Sequence, residues 1–276
     1  VKKFLGILLK NDKEINILRE ANRIVSIILD ALQEHVRPGI KTMELEELAL
    51  TWCRRFNVKP AFKGYRGFPY AVCCSVNDQV VHGFPSDRVL EDGDIVSIDF
   101  GVVHQGFYGD SARTVAVGEI DPAAQKLMDV TLHALDAGIA RAVVGNNLYD
   151  ISRAIQKYVE AEGCSVVKRF VGHGIGRSLH EKPEIPNFLP QRYTDIPLKT
   201  GMVLAIEPMV TAGLDEVEIL PDRWTAVTKD RSLAAHFEHT VALTPDGPEV
   251  LSRSYTEVTT QHVGYRTCNT NGSIFT

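Results

Sequence analysis

The chain has 276 residues, 44% hydrophobic and 24% charged, with a net charge of −5. That is long enough for a sizeable core, in one large domain or two fused halves. The acidic balance argues against sequence-specific nucleic-acid binding as its main business.

The opening VKKFLGILLK is too short to span a membrane, and no small-residue cleavage site follows. Five cysteines (Cys53, Cys73, Cys74, Cys164, Cys268) form no CxxC pair. Their odd count suggests a reducing compartment, so a cytoplasmic protein without disulfides is expected.

Asp12 is expected to cap a helix running to about residue 36, with Ile15, Leu18, Ile24, Val25, Ile28, Leu29 and Leu32 at helical spacing. Arg37-Pro38-Gly39 ends it. Thr42 opens a second helix with Leu45, Leu48, Trp52 and Phe56 on one face. Asp121-Pro122 starts a third, expected to reach Gly145. A fourth follows over roughly 147–161. Apolar runs near 71–76, 95–100, 112–117, 166–171, 202–206 and 237–243 read as strands. The class is α+β.

The chain repeats itself weakly. GIKTMEL (39–45) aligns with GNNLYDI (145–151), and GDIVSID (93–99) with GMVLAIE (201–207), displaced by 106 and 108 residues. Each second match ends an apolar strand in a carboxylate. Asp110 and Glu238 are each read as starting a further strand, with Thr-Val-Ala close behind. Two similar halves are expected, each giving two acids.

SIDFGVVHQGFYGD (97–110) reads as a hairpin. With its turn centred between His104 and Gln105, Asp99 lies directly opposite Asp110, β-carbons about 4.5–5.5 Å apart. Two carboxylates at that distance resist joint ionisation. A pseudo-twofold would add Glu207 and Glu238. Four acids cannot share one proton, so two divalent cations are the better answer. Pro208 biases Glu207 toward extended backbone, at a strand end. Glu238, between Phe237 and an apolar run, needs a partner. His173, after a strand ending at Val171, sits in a turn between Gly172 and Gly174. Those glycines permit close approach and unusual dihedrals. This hard donor set suits Mn, Fe, Co or Zn. Taken singly, a strand acid is more often solvent-facing and a lone histidine structural. Here the set carries the weight. GHGIG lacks the third glycine of a phosphate loop, HEKPE is not HExxH, and there is no GxSxG.

These residues resemble the methionine aminopeptidases, the pita-bread metallopeptidases. The likeness runs from about 12 to 251 and includes GYRGFPYAVCCSVNDQVVHG (64–83), GHGIGRSLHEKP (172–183), AIEP (205–208) and TKDRSLAAHFEHTV (228–241). It implies two pseudo-symmetric halves, about 12–118 and 119–251, with a central antiparallel sheet backed by helices. Residues 1–11 would be an extension and 252–276 a polar tail, expected to be disordered. The resemblance assigns Asp99, Asp110, His173, Glu207 and Glu238 to two divalent ions (Co, Mn, Fe, Zn or Ni). A hydroxide bridging them would attack the first peptide bond. Glu207 would also shuttle a proton. His180 would contact the carbonyl or oxyanion, and His82 the scissile nitrogen. Tyr65, Phe68, Cys73 and Trp224, with Phe62 and Leu179, would wall the methionine pocket.

The 34 residues from His173 to Glu207 leave no room for the type II insertion, so a bacterial-style type I enzyme is implied. It would act on nascent N-termini with a small second residue, as a monomer. His236 stands where a glutamine is expected. Asp215, Glu216, Glu218 and Asp222 occupy a stretch where basic residues would aid ribosome docking. A proline-directed peptidase of the same fold and a non-catalytic, metal-stabilised binding protein stay open. The first usually carries an extra N-terminal domain. Against the second stand five retained ligands and both histidines.

Overall fold

The computed structural model describes residues 2–254. The 255–276 part of the expected tail, with Cys268, lies outside them. The other four cysteines are free.

A short hairpin, β1 (Lys2–Phe4) and β2 (Ile7–Leu9), precedes helices α1 (Asp12–His35) and α2 (Thr42–Phe56). Then come β3 (Lys59–Pro60), a 3-10 turn (Tyr65–Gly67), β4 (Val72–Val76), β5 (Gln79–Val81) and the long hairpin β6 (Ile95–His104) and β7 (Phe107–Ala116). The second half opens with α3 (Pro122–Ile139) and α4 (Leu148–Ala161), then β8 (Ser165–Val166), β9 (Gly172–Gly174), β10 (Glu181–Ile185) and β11 (Val203–Ile206). It closes with β12 (Met209–Thr211), β13 (Val217–Ile219), β14 (Ala226–Thr228), β15 (Ala234–His236), β16 (Glu238–Thr244) and β17 (Gly247–Val250). Among the described residues no helix is long and apolar enough to cross a membrane.

The main sheet runs β10-β9-β11-β16-β7-β6-β3, with β4 also on β6 and β17 on β16. Its pairs are antiparallel. β7 and β16 meet at the centre, so the two halves join along that seam. Alternation then sorts the side chains. Val96, Ile98, Phe100 and Val102 of β6 face a core with α1 and α2. Ser97, Asp99 and Gly101 take the opposite face. A second core packs α3 and α4 against β11 and β16 through Leu135, Ile151, Ile155, Leu204 and Val241.

Several expectations need correction. The cap of α1 is Asn11, not Asp12: Asn11 Oδ1 accepts from the Glu14 N–H while the Glu14 carboxylate accepts from the Asn11 N–H. α3 stops at Ile139 rather than Gly145. Its end tightens into bonds from Arg141 N to Gly138 O and Ala142 N to Ile139 O. The run at 166–171 is a strand only at its start. Asp110 lies inside β7 rather than at its head.

The hairpin register also differs. Its two-residue turn is Gln105-Gly106, at φ of 48° and 77°, and His104 pairs with Phe107. Left-handed backbone at both positions suits the strand twist, and glycine takes the second without cost. Asp99 therefore faces Ala112, and Asp110 faces Gly101. The two acids share a face, as expected, but as diagonal rather than direct neighbours.

Candidate metal centre and active site

Three strands converge on Ala112. Asp99 pairs with it from β6 and Glu238 from β16, while Asp110 sits two residues along β7 on the same face. The methyl side chain of Ala112 leaves space between the three carboxylates. Asp110 and Glu238 are 4% and 2% exposed.

His173 is not in a turn. It lies on β9, between β10 and β11, paired with Glu184 and Ala205. Its glycines serve close approach alone. A β-carbon at Gly172 would stand 2.4 Å from Ala205 O, and one at Gly174 2.2 Å from Lys182 O. His173 Nδ1 lies 3.0 Å from the Gly174 carbonyl, so that nitrogen carries the proton and donates. Nε2 is left with a lone pair, 3.9 Å from Asp110 Oδ2 and 3.6 Å from Glu207 Oε1. Glu207 follows β11 directly, at the strand end that Pro208 suggested, and its carbonyl accepts from Asn187 Nδ2.

Donor atoms of Asp110, His173 and Glu238 all lie within 4.8 Å of one another. Asp99 Oδ1, Asp110 Oδ1 and Glu238 Oε1 are buried with no hydrogen-bond partner. Burial raises all four acids, Asp99 to about 7, Glu207 to about 8, and Asp110 and Glu238 well above the carboxylate range; neighbouring carboxylates add to it, Asp99 and Glu207 at Asp110, Asp110, Glu207 and Asp99 at Glu238, and Glu207 at Asp99. Orphaned carboxylate oxygens around a lone imidazole pair fit divalent cations of the Mn, Fe, Co, Zn or Ni group.

The same cavity, of about 160 Å³, continues into an apolar pocket. Phe62, Tyr65, Phe68, Cys73, Leu179 and Trp224 line it, as do His82 and His180, and the His180 ring lies against both Tyr65 and His173. Phe68 packs edge-on to Trp224, centroids 5.1 Å apart. His180 Nδ1 is 2.8 Å from the Tyr65 hydroxyl, with the rings stacked. His82 holds a left-handed backbone at φ 60° and packs edge-on to Phe170 and Trp224. Desolvation lowers both imidazoles to about 4, with the Arg66 guanidinium adding to it at His180 and the imidazoles of His236 and His180 disfavouring a further proton at His82, so both are neutral at pH 7. Every residue expected at the site thus meets in one cavity.

The family model of metallopeptidase family M24 matches residues 16–245. The chain belongs to metallopeptidase family M24. Within the family it is similar to methionine aminopeptidases. That of Clostridium perfringens is 53% identical over 89% of this chain and 98% of its own length. Methionine aminopeptidase 1 of Bacillus subtilis is 49% identical, over 90% and 99%. A crystal structure of the Thermotoga maritima methionine aminopeptidase superposes with a TM-score of 0.87 at 45% identity, covering 90% of this chain and 99% of that one.

Three features of this M24 chain were not foreseen. Arg66, left-handed at φ 49°, stands at the pocket mouth over the Tyr65 ring. The φ could not be read from its place between Tyr65 and Gly67. Glu181 accepts from the Arg177 and Ser178 N–H groups, tying down the turn before His180, and pairs with buried Lys10 at 2.7 Å. No local signal links two residues 171 apart in sequence. The acidic stretch is largely neutralised, by Asp215 with Lys168, Glu216 with Lys229 and Glu218 with Arg231.

Proposed function

We propose that this chain removes the amino-terminal methionine of nascent polypeptides, in the cytoplasm and as a monomer. One observation carries the reading: the orphaned acid cluster and the aromatic residues line one cavity, together with neutral His82 and His180.

Asp99, Asp110, His173, Glu207 and Glu238 would hold two divalent ions. Bound there, the ions supply Lewis acidity, giving a nucleophilic water at neutral pH and a polarised carbonyl. The chain does the rest. The pocket takes the first side chain, its rings favouring a thioether. The acids draw the free amino terminus toward them, which restricts cleavage to the first bond. The Tyr65 hydroxyl holds His180 by Nδ1, aiming Nε2 at the scissile carbonyl. A neutral imidazole there donates a hydrogen bond as charge builds on the oxygen. His82 faces the leaving nitrogen. Glu207, between the imidazoles of His173 and His236, moves the proton.

The second residue must pass His180 and the β9 strand, so small side chains are favoured. One excess methylene against a rigid wall costs about 1–3 kcal/mol. The chelated enzyme, restored with each divalent ion in turn, should cleave Met-Ala-Ser at least ~10-fold faster than Met-Leu-Ser or Leu-Ala-Ser. Equal cleavage of all three would remove the pocket assignment. With the acidic stretch neutralised and not basic, ribosome docking finds no support there.

A further inference from the structure

His236 closes β15 at the edge of the acid cluster, 1% exposed. Its Nε2 is buried and has no hydrogen-bond partner. An orphaned polar atom of this kind costs about 1–3 kcal/mol, so a structure that keeps one invites an explanation.

The nitrogen lies 3.4 Å from Glu207 Oε2 yet forms no aligned hydrogen bond with it. That spacing has another meaning. Two donors at about 2.0–2.1 Å from one ion, at the tetrahedral angle, sit roughly 3.3–3.4 Å apart. His173 holds a matching place on the other oxygen, with Nε2 3.6 Å from Glu207 Oε1. The Glu207 carboxylate is thus flanked by two imidazoles, one on each oxygen.

The backbone of His236 is held to that position. Its N–H donates to Thr114 Oγ1 and its carbonyl accepts from the same hydroxyl, both at 2.9 Å. Thr114 is tied in turn to Ser97 at 2.9 Å, one strand over. His236 also pairs with Met209 across β12. Such anchoring fixes where the imidazole can reach.

We propose that His236 is a second imidazole ligand of the metal centre, biasing it toward Co²⁺, Ni²⁺ and Zn²⁺ over Mn²⁺. This rests on the acid cluster being a metal centre. Imidazole nitrogen favours the later divalent ions, whereas carboxylate oxygen suits Mn.

The test is proton NMR of the whole chain loaded with Co²⁺. Each bound imidazole gives one solvent-exchangeable, paramagnetically shifted N–H line. The expected result is two such lines in the native chain and one in His236→Gln. Co²⁺ binding should weaken at least ~10-fold in that variant, and Mn²⁺ binding by less. One line in the native chain overturns the inference and leaves the metal centre standing, and so does a loss of affinity with both lines retained. No shifted line at all removes the metal centre and the inference together. The native count decides even if the variant fails to fold.

Discussion

Two regions bury charge, and they do it in opposite ways. At the first, Lys10 and Glu181 are almost fully enclosed, 2.7 Å apart, and satisfied by the chain itself. Lys10 also donates to Leu8 O, and Glu181 accepts two backbone N–H groups. At the second, Asp99, Asp110, Glu207 and Glu238 face one another, and three of their oxygens have no partner. Among the described residues, a lysine serves the one buried acid and none serves the four. The missing counter-charge at the second region must come from outside, and that separates a functional site from a structural pair.

The largest effect should come from removing a charge at the centre. Asp110→Asn should abolish binding of two metals, beyond the ~10–100-fold that outer contacts contribute, and activity with it. Calorimetric titration with Co²⁺ reads this directly. Undiminished two-metal binding would break the comparison.

At the structural pair, Lys10→Met should cost about 3–5 kcal/mol of unfolding free energy, because it strands Glu181. Metal stoichiometry should stay unchanged. Denaturant unfolding distinguishes this from a surface pair, where less than about 1 kcal/mol would be lost.

His180 is neither acid nor base of either region, though its ring packs 4.3 Å from that of His173. His180→Ala should lower kcat by about 10²–10³-fold with both metals still bound. Metal loss in that variant would place His180 among the ligands.

The smallest effect concerns pH. Without metal, the four carboxyls are raised in the fold, Asp99 to about 7 and Glu207 to about 8. A raised acid holds its proton in the folded state longer than in the unfolded one. Its stabilising contribution is therefore complete below about pH 4 and is lost as pH rises through 7–8. Metal-free protein should melt several degrees lower at pH 8 than at pH 6. Metal-loaded protein should show little of that slope.

Much of the centre was legible in the sequence, for a definite reason. An acid in an apolar strand is expensive, and Asp99 and Glu238 each stand in one. Pro208 gave Glu207 its strand end, and paired glycines marked His173 as a close-packed position. The register was less legible. Gln105 shows no preference for a left-handed turn, and only Gly106 hints at it, so the hairpin centre slipped by one residue and the acids lost their direct pairing. The shared face survived, because sliding the pairing by two residues preserves alternation. His82 and His180 carried no periodic signal and were reached through family resemblance alone. The Lys10–Glu181 pair and the lone Nε2 of His236 depend on contacts across the fold, which spacing along the chain does not encode.

If the four acids are held for cations, binding must displace their protons. Calorimetry of the chelated protein at pH 6, titrated with Co²⁺ in buffers of different ionisation enthalpy, counts the protons released on binding. Saturation at two metals, release of more than one proton per chain and a raised melting temperature are expected. Binding that releases no protons, or no saturable binding at all, would contradict it.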